Sequence, residues 1–206
     1  MWDALYRQHE AVRDVGNADV AILLRERVKW LVAHDHCDQR YQGKVTYKQQ
    51  PARGRREIWV KGGEDAMGAP IPLVGLPELT EARLFFAVML DARAARVEKF
   101  TVRLDGRAHA TGQAWLVSVE MDDRQMGSGA CGHAIIHCHV GPDHFSTPEV
   151  RVPCPAMKPW EALDWVLTLV VPGWEPLPWD GGQAEAGLPA DVVALRRAWR
   201  DANARR

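Results

Sequence analysis

The chain has 206 residues, of which 47% are hydrophobic and 26% charged, with 26 basic and 27 acidic side chains, eight histidines and a formal net charge of −1. That length supports a single domain with a sizeable core, and the near-neutral charge excludes a polycation that would hold nucleic acid over its whole surface. Four cysteines without CxxC spacing exclude a disulfide scaffold, and the start lacks a basic stretch followed by an apolar run, so a soluble cytoplasmic protein with no membrane contact is expected.

In chain order, residues 3–15 read as a short helix with Leu5, His9 and Val12 on one face. Asn17 is a candidate N-cap for a second helix whose stripe is Val20, Leu24, Val28 and Leu31, widened by Leu23 and Trp30. The stripe runs out at AHDHCDQR, where His34, Asp35, His36, Cys37 and Asp38 crowd together. That cluster could add to a metal site, although a helix end with exposed polar residues accounts for it as simply.

Two alternating runs, 44–48 and 57–61, flank QQPARGRR and predict a hairpin. From Arg40 to Lys61 seven basic residues stand against the single acid Glu57, with Tyr41, Tyr47 and Trp59 interleaved. Arg53, Arg55, Arg56 and Lys61 are candidates for phosphate contacts and Tyr47 and Trp59 for base stacking; the alternative is a solvated edge kept from aggregating by its charges. The Gly- and Pro-rich stretch 62–79 then suggests a connection. It would divide a segment 1–79 from a sheet domain 80–206, unless the two are continuous.

Thr80 is read as the cap of a helix reaching about Arg96, with Leu84, Val88 and Ala95 in line. From Val97 the period becomes two, and four strands are expected at 97–104, 114–121, 133–140 and 149–152, joined by turn-forming sequences as in an antiparallel meander. Pro159 opens a further helix with Leu163, Val166, Leu167 and Val170 buried. A Pro- and Trp-rich loop and an amphipathic helix over 189–202 complete the chain. The expected class is α+β: N-terminal helices, a basic β-hairpin, a four-stranded mostly antiparallel sheet covered on one face by a helix, and a C-terminal helix.

Alternation gives that sheet two different faces. One takes Phe100, Val102, Leu104, Trp115, Val117, Val119, Met121, Ala134, Ile136, Cys138, Val140, Val150 and Val152 and is the core face, on which Cys138 is a small hydrophobe. The other takes Lys99, Thr101, Arg103, Leu116, Ser118, Glu120, His133, His137, His139, Glu149 and Arg151. A polar face is common on an antiparallel sheet, but three imidazoles on one strand exceed what a solvated face usually carries.

Two chemistries fit. Without a metal, His137 and His139 would act as acid and base, assisted by His133 and Glu120, with Arg103 or Arg151 facing the charge that develops on phosphorus as an RNA 2′-hydroxyl attacks its phosphate. With a metal, the HxH pair His137 and His139 would bind zinc, with His133, Glu120, Asp143 or His144 as third ligand. The first chemistry needs no cofactor; the second makes zinc the cofactor.

The order of helices, four strands with GHAIIHCHV on a late one, and the terminal helix KPWEALDWVLTLV resembles small bacterial domains of toxin–antitoxin and phage-defence systems, some of them proposed to be metal-independent ribonucleases. The resemblance covers Val97–Val171. It implies an RNA- or nucleotide-directed phosphodiesterase whose partners are an RNA or nucleotide substrate and a protein, either an antitoxin or a complex subunit. A non-enzymatic binding or assembly module and a zinc-dependent hydrolase on the HxH strand are the alternatives.

Overall fold

The computed structural model describes residues 9, 11–16, 18–52, 55–62, 70–121, 136–141, 151–154, 156–174, 190 and 194. Its centre is a sheet of eight strands: β1 (Thr46–Ala52), β2 (Arg55–Lys61), β3 (Ile71–Pro72), β4 (Leu79–Leu90), β5 (Val97–Ala108), β6 (Ala114–Met121), β7 (Ile136–Gly141) and β8 (Arg151–Pro153). The order is β1-β2-β4-β5-β6-β7-β8, with β3 added on β4, and every pairing is antiparallel. The mixed α+β class is therefore as expected. The four strands expected after Val97 prove to be part of a larger sheet that takes in the basic hairpin, because β2 hydrogen-bonds directly to β4 through Ile58–Lys61.

The segment expected as a helix over 80–96 is instead β4, twelve residues long. Leu84, Phe86, Val88 and Leu90 point into the core at 0–2% exposure, while Phe85 and Met89 lie half-buried on the other face. Apolar residues on both faces hide the period of two, and a short continuous apolar run does not distinguish a central strand from a buried helix. Gly62, just beyond β2, lies so close to the Phe86 ring that a Cβ there would stand 2.3 Å from it, so the absence of a side chain is what lets the chain leave the sheet at this point.

Two helices cover the core face: α1 (Val20–Ala33) and α2 (Pro159–Thr168). The cap of α1 is Asp19, whose side chain accepts from the Ile22 amide at 3.0 Å, whereas Asn17, the expected cap, lies outside the described residues. In α2, Pro159 stands in the first turn, as expected, and the Glu161 carboxylate accepts from the Lys158 amide at 2.8 Å, half of a capping box. A buried ion pair joins the helices. Arg27 reaches Asp164 through Nε at 2.9 Å and through Nη2, donates to the Trp160 carbonyl at 3.1 Å and to the Leu23 carbonyl at 2.7 Å, and its side chain is 1% exposed. Of the helix expected over 3–15, residues 9 and 11–15 are described: His9 and Ala11 are helical, and the chain has left the helix by Asp14, which bridges to Arg96. The helix expected over 189–202 falls almost wholly outside the described residues.

His9 is fully buried at the edge of this core. Its Nδ1 accepts from the Ile136 amide at 3.2 Å and its Nε2 lies 3.1 Å from the Cys154 carbonyl, which fixes a neutral ring protonated on Nε2. Burial, reinforced by Arg13 and His137, pushes the His9 pKa down to about 4 against the hydrogen bond to Cys154. Nearby, the Cys138 thiol is core-facing as expected and hydrogen-bonds that of Cys154, a contact that together with burial holds the Cys154 thiol protonated.

Two outcomes follow from these buried groups. Asp164→Ala leaves the Arg27 charge uncompensated and is expected to cost about 3–5 kcal/mol in equilibrium denaturation, whereas replacing both partners with apolar residues of similar volume recovers most of that loss. For His9 the folded pKa lies below the unfolded value of about 6.5, so the unfolded chain takes up the proton first. Stability therefore falls as pH drops from about 6.5 to about 4, by up to about 3 kcal/mol; a pH series of denaturation curves on wild type and His9→Gln, in which that component disappears, is the check.

Candidate metal centre

Registers across β5, β6 and β7 assemble the polar face. Phe100, Val102 and Leu104 stand opposite Met121, Val119 and Val117, and Met121, Val119 and Val117 stand opposite Ile136, Cys138 and Val140. The residues between them therefore form two rows on the other face, Thr101–Glu120–His137 and Arg103–Ser118–His139. This is the alternation read from the sequence, except at the strand ends, where Val140, expected in the core, is 53% exposed and Leu116, expected on the polar face, is buried.

The rows bring three donors together. One ligand atom each of Glu120, His137 and His139 can be chosen so that all lie within 4.8 Å of one another. The two imidazole centroids are 4.8 Å apart with their planes at 64°, and His139 Nε2 lies 3.8 Å from Glu120 Oε2. Ser118 donates to the other carboxylate oxygen, Oε1, at 3.3 Å. Its hydroxyl thus fixes the carboxylate so that Oε2 is the oxygen turned toward His139.

Burial differs from the open solvated face that alternation alone suggests. His137 is 2%, His139 4% and Ser118 0% exposed, and only Glu120 of the group is partly accessible. Two imidazoles and a carboxylate are a donor set suited to zinc. Ligand atoms sharing one tetrahedral ion at zinc-type bond lengths stand about 3.4 Å apart, against 3.8 Å between His139 Nε2 and Glu120 Oε2 and up to 4.8 Å among the three donors, so side-chain rotations must draw the donors together for all three to share one ion.

The other expected site residues are distributed as follows. Arg103 is next to Ser118 in the row, its Nε 3.4 Å from Asp105 Oδ1 and its guanidinium carbon 5.7 Å from the centre of the Phe85 ring. Asp105 also accepts from Arg83 Nε at 3.0 Å. The backbone of Arg151 on β8 stands opposite His139. His133, Asp143 and His144 lie outside the described residues.

In the basic hairpin, Trp59 and Lys61 are on the same sheet face as Glu120 and the histidines, with the Lys61 ammonium 4.7 Å from the Trp59 ring centre. Tyr47 is on the opposite face, its hydroxyl donating to Asp19 at 2.9 Å. Arg55 and Arg56 are in β2, paired with Ala52 and Pro51, and Arg53 lies outside the described residues.

The second HxH, His34 and His36, is an aromatic stack. His34 lies on Trp30 at 3.7 Å, His36 is near-parallel to Trp30 at 6.2 Å, and Trp174 meets Trp30 edge-on at 4.6 Å. The Nδ1 atoms of His34 and His36 lie 2.9 and 3.0 Å from the Trp30 and Val74 carbonyls. Cys37, beside them, has its pKa pushed up to about 11 by burial and the neighbouring Asp38 and stays a thiol at neutral pH.

Ser118 was read from the sequence as a member of the polar face without a role. Its position two residues before Glu120, and so on the same face of the strand, is the signal that it could orient the carboxylate. No protein-family profile, curated protein or solved structure matches the chain. Among the described residues no helix is long and apolar enough to cross a membrane.

Metal-free protein titrated with zinc is expected to take up close to one equivalent. Ser118→Ala, which frees the carboxylate to turn, should weaken that uptake by about 10- to 100-fold, while His139→Ala should reduce it further; competition against a chromophoric chelator measures both.

Proposed function

We propose that the protein is a metal-dependent hydrolase of phosphodiester bonds, acting on RNA or nucleotides, with Glu120, His137 and His139 as the metal ligands. The convergence of their donor atoms within 4.8 Å carries this reading. Burial of both imidazoles favours a small ion over a large substrate as the group they meet directly, and the partly accessible Glu120 marks the side from which a substrate approaches. An ion of zinc type in such a site acidifies a bound water and polarises a phosphoryl oxygen.

The chain's own residues supply the rest. Ser118 holds Glu120 in its orientation. Arg103, braced by Asp105 and Phe85 two strands from His139, would offer its guanidinium to the negative charge of the phosphate as the ester bond breaks. The choice of a phosphodiester rests on this cation. The resemblance of residues 97–171 to toxin and phage-defence domains, some of them proposed to be metal-independent ribonucleases, motivates RNA as the substrate and an antitoxin or complex subunit as the protein partner, and speaks for the second reading below rather than for the metal.

One observation favours a second reading of the same residues. The Glu120 carboxylate 3.8 Å from His139 and the adjacent His137 ring are a carboxylate–imidazole–imidazole series that could perform acid and base catalysis on RNA without a metal, the carboxylate orienting His139 as base and His137 serving as acid.

The deciding experiment is cleavage of RNA and single-stranded DNA together with elemental analysis, on wild type and on His137→Ala. A bound metal, loss of cleavage on chelation and a fall of at least about 100-fold in the variant are expected. Cleavage that survives chelation and vanishes in His137→Ala would replace the metal reading with the acid–base one. Neither metal nor cleavage would leave a binding or assembly module.

A further inference from the structure

We propose that the half of the polar sheet face centred on Trp59 is a track for single-stranded nucleic acid that leads toward Glu120, His137 and His139; this rests on the hydrolase reading of that site. The antiparallel registers put Lys48, Trp59, Met89 and Lys99 in one row across β1, β2, β4 and β5, and Thr46, Lys61, Ala87 and Thr101 in the next. The second row continues through Glu120 to His137. The hairpin cations and the histidine strand, far apart in sequence, thus occupy one surface.

Its composition matches a particular ligand chemistry. The buried Lys61 ammonium lies 4.7 Å from the indole centre, Lys48 stands opposite Trp59 on β1 and Lys99 one strand beyond Met89 on β5, and the remaining positions of the two rows are filled by the small or uncharged side chains of Thr46, Ala87, Met89 and Thr101. Lys48, Trp59, Met89, Lys99, Thr101 and Glu120 are all partly accessible, so the accessible strip reaches from the indole to the carboxylate at the metal centre. Aromatic rings with adjacent cations hold single strands by base stacking and backbone charge, without sequence selection. From β2 to β6 the strip crosses three interstrand steps, about 14 Å, which takes a run of nucleotides rather than one. A duplex offers its base faces to no side chain, and a protein partner gives no reason for cations gathered about one ring.

The test is binding of a fluorescein-labelled octanucleotide of single-stranded RNA, followed by anisotropy with the full chain in chelator so that the strand stays intact. Binding at least about tenfold tighter than that of a mononucleotide competitor is expected, with Trp59→Leu weakening it by about tenfold or more and Trp59→Phe restoring most of it. Phosphate contacts from the two accessible lysines, Lys48 and Lys99, give a slope of log affinity on log salt of about −1.4, which Lys48→Gln with Lys99→Gln should bring close to zero.

Zinc uptake by each variant separates the two readings. An octanucleotide that binds no better than a mononucleotide, or a Trp59→Leu protein that takes up zinc normally and binds the strand as wild type does, would overturn the track. Strand binding that depends on Trp59 in a protein that takes up no zinc would uphold the track and remove the metal centre.

Discussion

The site depends on the pairing of three neighbouring strands. With Glu120 opposite His137 and Ser118 opposite His139, the carboxylate, its hydroxyl brace and both imidazoles share a face, while Val117, Val119, Met121, Ile136 and Cys138 turn to the core. The strand period is two, so a slip of one residue in β7 would send the histidines into the apolar layer and Cys138 and Ile136 out of it. The core thus holds the chemistry in register: residues that never touch the polar face decide where its side chains stand.

The core is itself anchored by charge. Arg27 is almost fully buried yet meets two carboxylate oxygens and two main-chain carbonyls, an arrangement that satisfies the fork of the guanidinium and joins the two helices above the sheet. A buried pair of this kind adds little net stability over an apolar substitute. It does impose one relative placement of α1 and α2, and with it the shape of the layer that β5 and β6 pack against.

Much of this was readable in the sequence because alternation is a local property. The faces of β5, β6 and β7 follow from the spacing of Phe100, Val102, Val117, Val119, Ile136 and Cys138 without knowledge of neighbours. β4 escaped for the opposite reason: ARLFFAVML has apolar residues on both faces, and its pairing with β2 and β5 is tertiary information. The same cause hid the kinship of Trp59 and Lys61 with the histidines, since the hairpin and the histidine strand become coplanar only through β4. Burial of His137 and His139 was also out of reach, because alternation assigns a side chain to a face and says nothing of what lies above that face. His34 and His36 match the HxH pattern as well as His137 and His139 do, and the difference is tertiary: the first pair stacks on Trp30, whereas the second converges with Glu120.

Residues 9–27 are tied to residues 154–164 across long stretches of sequence. His9 is bonded to Cys154, 145 residues on, Lys158 to Asp14 across 144, and Arg27 to Asp164 across 137. On the ribosome the first of each pair emerges long before the second, so a buried cation and a buried imidazole wait, solvated, while 137 and 145 further residues are made. The meander β4–β5–β6 can pair as it appears, because its contacts are near in sequence. Closure of the core therefore waits for α2, so that His9, Asp14 and Arg27 dock after the strands between have paired, and a chain truncated before α2 would expose the apolar side of a sheet already formed.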